Sequence, residues 1–304
     1  MRVSLSLFAA LLLALPAERK QGNPLDHLPP NFEVLTHFGE RADISPDNLR
    51  VAFMAKSFGD AMVIDLKTRE MRCLTCNVPA AVFLRVMHLV TGDYILIGPD
   101  HFENIRVSRT RDNELWFLSK ERGSRPIKLG QKMSEGAAIS KKSLKISYSE
   151  TSQQNPDLAS ESSRLAVAEL DDKMTFTCYE PRGQASVMGI DLRTGVVTNF
   201  SKAPGSYNEV EGIFPDGLYT AVEADRQCEE LGGTRGSGNI DIWKLKLDGT
   251  GKDFTRLTYF NDYAGGKASN PVISTDGRFM AFQVAKTDDP AGVGYGILLF
   301  HFPS

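Results

Sequence analysis

The side chains best suited to chemistry are scattered along the chain. A planar guanidinium beside a carboxylate, with an ammonium and a carboxamide nearby, can hold a sugar or a peptide carboxylate. The densest such set is Glu223-Ala224-Asp225-Arg226-Gln227 together with Asn261-Asp262-Tyr263 and Lys267. Asp225, Arg226, Asn261, Asp262, Tyr263 and Lys267 are therefore the candidate ligand-binding residues; in the alternative, Asp225 and Arg226 pair with each other and lock one loop. His101 joins the candidates because it sits with Glu103, Arg106, Arg109 and Arg111 in one polar stretch. The chain has 5 histidines, and none stands at metal-ligand spacing from another. No nucleophile, base and acid fall into a catalytic set, so neither a metal nor a cofactor is expected. Trp116 and Trp243 offer faces for a sugar, but their equivalent strand positions point to core packing.

The 4 cysteines are Cys73, Cys76, Cys178 and Cys228. Cys73-Leu74-Thr75-Cys76 is half of a zinc site, and its second half is missing. A redox thiol there would want a helix N-terminus to acidify it, whereas the flanking residues read as strand and turn. Structural disulfides or partly free thiols are the expectation. Cys178 and Cys228 fall near the ends of second strands in consecutive repeats, which predicts a disulfide between them.

Those residues must be positioned by a repeat. Ile44-Ser45-Pro46-Asp47-Asn48, Ile139-Ser140-Lys141-Lys142-Ser143, Ile213-Phe214-Pro215-Asp216-Gly217 and Ile273-Ser274-Thr275-Asp276-Gly277 are each followed by an alternating apolar strand, and Leu89-Val90-Thr91-Gly92-Asp93 is a weaker copy. Proline presets φ for a turn, aspartate bonds back to the turn backbone, and glycine or asparagine takes a positive φ. A second hairpin follows most copies, as at residues 62–75, 115–129, 187–200 and 240–258. Two hairpins make a four-stranded sheet, one blade of a propeller. The spacing predicts an all-β, six-bladed β-propeller with blades near 39–77, 78–131, 132–172, 173–203, 204–260 and 261–304. The last blade lacks a fourth strand, and residues 32–36 read as the strand that completes it. The insertions at 98–113, 150–163 and 223–239, and the inter-blade segments 202–210 and 260–269, then share one rim, where a rigid scaffold tends to carry binding.

Ile44-Ser45-Pro46-Asp47-Asn48, Phe214-Pro215-Asp216-Gly217 and Ser274-Thr275-Asp276-Gly277, with the strand endings Cys73-Leu74-Thr75 and Arg256-Leu257-Thr258, resemble the TolB-type propeller repeat. The resemblance implies the fold and leaves the activity open, because one fold hosts many functions. Relatives with peptidase activity add a hydrolase domain with Gly-x-Ser-x-Gly, and this chain has no such pentapeptide. Only residues 18–30 precede the first strand, so the propeller alone is expected, over 31–304.

Arg2, the apolar run Val3–Leu15 and Pro16-Ala17 form a secretory signal peptide over 1–17, with cleavage after Ala17 and a linker over 18–30. The product is then secreted or periplasmic, and no stretch of the mature chain is apolar enough to span a bilayer. A net charge of −3 gives no basic surface for nucleic acid. The expected function is a monomeric, non-enzymatic scaffold whose loop-rich rim binds a protein or peptide. A carbohydrate-active enzyme or sugar binder working at the central funnel is the alternative, and a structural part of an envelope complex is a third reading.

Overall fold

The computed structural model describes residues 18–158, 163–167, 173–180, 184–191, 196–228, 230–289 and 293–303, with 163–167, 173–180, 184–191 and 197 described by backbone alone. The expected signal peptide lies outside these residues. The chain is all-β, and every pairing between strands is antiparallel.

The first sheet runs β2 (Glu40–Ile44), β3 (Arg50–Met54), β4 (Ala61–Asp65), β5 (Met71–Cys73). The second runs β6 (Arg85–His88), β7 (Tyr94–Gly98), β8 (Glu114–Leu118), β9 (Ile127–Lys132). The third has β10 (Ala137–Ile139), β11 (Ile146–Thr151) and β12 (Ser163–Val167); the fourth has β13 (Lys173–Glu180), β14 (Gln184–Asp191) and β15 (Val197–Asn199). The fifth runs β16 (Asn208–Ile213), β17 (Tyr219–Ala224), β18 (Asp241–Lys246), β19 (Phe254–Arg256). The sixth joins β20 (Gly266–Ile273), β21 (Phe279–Lys286) and β22 (Ile297–His301) to β1 (Phe32–Val34), which pairs Phe32 with Phe300 and Val34 with Leu298.

The repeat turns form as their residue types dictate. Asp47, Asp216 and Asp276 accept the backbone N–H two residues on, from Leu49, Leu218 and Arg278. Asn48, Gly217 and Gly277 take the positive φ that the turn requires, at 59°, 68° and 70°. Ser45 and Ser274 each accept the N–H that opens the next strand, at 2.9 and 3.1 Å.

The core lies between sheets, face on face. Ala52, Met54 and Val63 of the first sheet pack on Val86, Tyr94 and Leu96 of the second. Ile44, Val51 and Phe53 pack on Ala281, Ile297 and Leu299 of the sixth. The first sheet is thus covered by its successor and by the last sheet in the chain. The edge strand β1 is fixed by aromatics: Phe32 meets Phe300, Phe282 and Phe260 at ring distances of 5.0, 6.1 and 6.3 Å. Truncating this half-buried ring removes packing at the joint between the chain's two ends. Phe32→Ala is expected to cost about 2–3 kcal/mol in a urea unfolding titration, and a loss under about half a kilocalorie would show that β1 carries no part of the fold's stability.

Candidate functional site

The first strands of three sheets carry the same irregularity. Register shifts break the pairing of β2 between Glu40 and Asp43, of β16 between Val210 and Gly212, and of β20 between Ser269 and Val272. A bulge leaves one residue unpaired and re-aims its side chain. Arg41 and Asn270 sit in two of these bulges at φ 52° and 50°. Their freed N–H groups find side chains on the preceding sheet: Arg41 donates to Gln283 Oε1 at 2.7 Å and Asn270 to Glu223 Oε1 at 2.5 Å. Gln283 and Glu223 hold the same position in β21 and β17, so one device staples the fifth sheet to the sixth and the sixth to the first.

Glu223 is also the centre of a carboxylate cluster. It stands opposite Glu209 in register, and Glu211 occupies the β16 bulge. One oxygen from each of the three lies within 4.8 Å of the others. The Tyr207 hydroxyl donates to Glu209. Burial, then the Glu209 charge, pushes Glu223 up to about 8, against the opposing pull of the Asn270 N–H, Lys267 and Glu211. Burial and the neighbouring Glu223 and Glu209 likewise raise Glu211 well above the usual carboxylate range, with Arg85 and Arg41 working the other way. Arg85, held below the usual arginine range by burial and by Arg41, feels Glu211, Glu135 and Asp43. Arg41 lies 3.6 Å from Glu40 and 3.7 Å from Glu135. Residues from the first, second and fifth sheets, with Glu135 from the segment that joins the second to the third, therefore share one electrostatic centre. Three carboxylate oxygens at this spacing are a donor set for a hard cation. At neutral pH, however, the proton on Glu223, with two guanidiniums near Glu211, already relieves much of the repulsion that a cation would.

A contrasting cluster joins the first three sheets. Asp43 accepts from the His88 N–H at 2.7 Å, from its ring Nδ1 at 2.9 Å and from Lys141 Nζ at 2.7 Å. Burial opposes ionisation of Asp43, but Lys141 and His88 outweigh it and hold the carboxyl down to about 2. Burial pushes the His88 imidazole below its ordinary range, so it stays neutral. Sequence reading missed this cluster, because its members come from three repeats and share no motif.

The residues expected to bind ligand are largely turned inward. Asp225 is fully buried and accepts from Arg235, Tyr207 N–H and Gly236 N–H. Its ion-pair partner is Arg235, not Arg226; the loop after β17 folds back and brings Arg235 onto the carboxylate. Arg226 lies over the Phe254 ring at 3.7 Å. Asn261, also fully buried, bonds Gln227, Arg19 and the Gly266 carbonyl. Asp262 pairs with Arg256 at 2.6 Å, and Tyr263 is buried beside His27. Lys267 lies at the start of β20, in the field of Glu223, and reaches the Ser237 carbonyl at 3.3 Å. His101 is 96 % exposed at its side chain, with Asp100 3.9 Å away, so nothing holds its ring in place. Trp116 and Trp243 are half-buried and donate to Gly98 and Gln227, as core tryptophans do. Cys228 is buried, and the Cys178 side chain lies outside the described ones, so their pairing stays a proposal.

No family model matches the sequence, and no curated protein matches it. Solved structures do. The tricorn protease aligns at 14 % identity and TM-score 0.56 over 88 % of this chain and 27 % of its own, so this chain spans about a quarter of that protein. A TolB structure from Agrobacterium tumefaciens aligns at 14 % identity and TM-score 0.38, over 88 % of this chain and 91 % of its own. The WD40 repeats of RRP9 align at 10 % identity and TM-score 0.45, over 90 % and 97 %. Identities this low speak of fold alone, and the tricorn protease match is a likeness to this chain's succession of antiparallel β-sheets.

The carboxylate cluster has a signature in pH. A buried acid whose folded pKa is raised contributes its full share below the unfolded value, and that share is lost as pH climbs to the folded value. Stability should therefore fall between about pH 4.3, where free glutamate titrates, and pH 8, where Glu223 ionises. Glu223→Gln should flatten that slope, gaining on the order of 3 kcal/mol on the native chain at pH 8 relative to pH 5. Chemical denaturation at the two pH values reads this out; parallel slopes would show that Glu223 is ionised throughout.

Proposed function

We propose that the chain is an exported, six-bladed, non-enzymatic binding propeller that takes a basic side chain of a protein or peptide partner at Glu209, Glu211 and Glu223. The ring is supported by the pairing of β1 with β22 and by the first sheet's packing on both the second and the sixth. Export is supported by the leader-like sequence of residues 1–17. The observation that carries the binding reading is the mutual repulsion of these carboxylates, which folding meets with a proton on Glu223. Folding keeps three glutamates together and holds Glu223 near pH 8. An incoming cation would replace that repulsion with attraction and release protons.

A second reading has its own observation. A carboxyl with a raised pKa beside a second carboxyl is the pairing that glycoside hydrolysis uses. Here, though, Glu209 and Glu223 face the same way on adjacent strands, whereas a glycosidase sets its two carboxyls on opposite sides of the bond it cleaves.

The two readings respond to pH in opposite directions. A lysine- or arginine-containing peptide should bind more tightly as pH rises towards 8, by up to about tenfold per unit for each proton released, and Glu223→Gln should abolish the trend. A neutral oligosaccharide accepting a hydrogen bond from protonated Glu223 should weaken over the same range. Calorimetric titration of basic peptides and of neutral oligosaccharides between pH 6 and 8, with chromogenic glycosides as a hydrolysis assay, separates them. Sugar binding that weakens with pH, or any glycoside turnover lost in Glu223→Gln, would overturn the first reading.

A further inference from the structure

The fourth strands of the first and fifth sheets end in the same backbone with different side chains. In the fifth sheet, Thr258 Oγ1 accepts from Ile242 N–H at 2.9 Å and donates to Asp241 at 2.8 Å, and Leu257 N–H bonds the Ile242 carbonyl. In the first, Thr75 Oγ1 accepts from Ala61 N–H at 3.0 Å and donates to Asp60 at 2.8 Å, and Leu74 N–H bonds the Ala61 carbonyl. Asp60 is thus the counterpart of Asp241, and Cys73 and Cys76 are the counterparts of Arg256 and Tyr259. In the fifth sheet Arg256 pairs with Asp241 at 2.5 Å and lies over the Tyr259 ring at 4.6 Å. In the first sheet Cys73 and Cys76 are joined by a disulfide.

This comparison weakens a purely structural role for the disulfide. The sibling turn keeps the same hydrogen bonds with a non-covalent stack. A disulfide stabilises mainly by closing a loop in the unfolded chain, and the effect shrinks with loop length; this loop encloses only Leu74 and Thr75. The counter-charge of Asp241 has no equivalent beside Asp60, which makes no ion pair among the described residues and lies with both sulfurs inside 4.8 Å. Cys76 is exposed and Cys73 half-buried, so Cys76 is the more open of the two to attack. A cleft of about 380 Å³ opens beside them, bordered by Arg72, Asn77 and Arg122.

We propose that Cys73–Cys76 is a thiol–disulfide exchange site for a small anionic peptide thiol of the glutathione class. The incoming thiolate attacks Cys76 Sγ, the Sγ–Sγ bond breaks, and Cys73 departs as a thiolate that takes up a proton from solvent. A second thiolate attacks the peptide sulfur of the mixed disulfide and releases Cys76 as a thiolate, which takes up a proton. Two peptide thiols are oxidised to one disulfide, and the protein disulfide is reduced to two thiols. Arg72 and Arg122 suit the carboxylates of the peptide.

The test incubates the full chain in mixtures of reduced and oxidised glutathione at pH 7, quenches by alkylation and maps peptides by mass spectrometry. The 73–76 peptide should interconvert reversibly while near-ultraviolet circular dichroism is retained. Cys73→Ser should trap glutathione on Cys76, and Cys76→Ser should trap at least about tenfold less on Cys73. The double variant Cys73→Arg with Cys76→Tyr, which installs the sibling pair, should melt within a few degrees of the native chain. A bond that survives millimolar reduced glutathione, a fold that is lost on reduction, or equal trapping on both sulfurs would each overturn the assignment.

Discussion

Phe32–Val34 lies along Ile297–His301 with its backbone paired residue by residue, so the two ends of the chain are tied to each other. A sheet edge that lacks a partner leaves a row of N–H and C=O groups to be satisfied elsewhere. β22 meets that demand with a strand from the opposite terminus. The aromatic cluster of Phe32, Phe260, Phe282 and Phe300 then sets the register that backbone bonding alone leaves loose. The packing of the first sheet on the sixth depends on this joint, and with it the side-by-side arrangement of first strands that brings Arg41, Arg85 and Glu211 within one another's field.

That arrangement creates a conflict, and the two clusters resolve it differently. Asp43 meets Lys141 directly at 2.7 Å, and two His88 donors complete its coordination, so the buried charge is stabilised. Among the described residues, Glu223 has no ion-pair partner in contact. Lys267 lies nearby but reaches for the Ser237 carbonyl, and Glu223 lies with two further glutamates and a backbone N–H. Both carboxyls are buried, yet the first is held down to about 2 and the second is pushed up to about 8, because contact with a charge, rather than depth alone, decides the outcome. One carboxylate is structural by that criterion, and the other keeps unspent affinity for a positive group.

Much of the fold was legible in the sequence. The Ser-Pro-Asp-Asn and Ser-Thr-Asp-Gly turns name their own geometry, and Asp47, Asp276, Asn48 and Gly277 perform the roles that their chemistry predicts. The hairpin pairs are legible for the same reason. The bulges at Arg41, Glu211 and Asn270 were not, because a bulge needs no particular residue type and shows itself only in register. Glu223 falls inside the polar stretch that the sequence singles out, yet Glu209 and Glu211 read as ordinary strand charges until pairing sets Glu209 opposite Glu223. The partner of Asp225 was equally hidden: sequence proximity suggests Arg226, and only the return of the loop delivers Arg235.

The repeat also explains why chemistry can vary without disturbing the scaffold. In each of two sheets an aspartate at the start of the third strand, with a Leu-Thr pair ending the fourth, closes the same set of backbone bonds. Because those bonds fix the turn, the flanking positions are released from structural duty. One copy fills them with Arg256 and Tyr259, held by charge and stacking; the other fills them with Cys73 and Cys76, joined covalently. The same logic applies to the staple that Gln283 and Glu223 share. Either side chain can accept the bulge N–H, so the choice of glutamate over glutamine at 223 adds nothing to that hydrogen bond that an amide oxygen could not supply. What it adds is a proton that leaves near pH 8, and a staple that needs only an acceptor gives no structural reason for it.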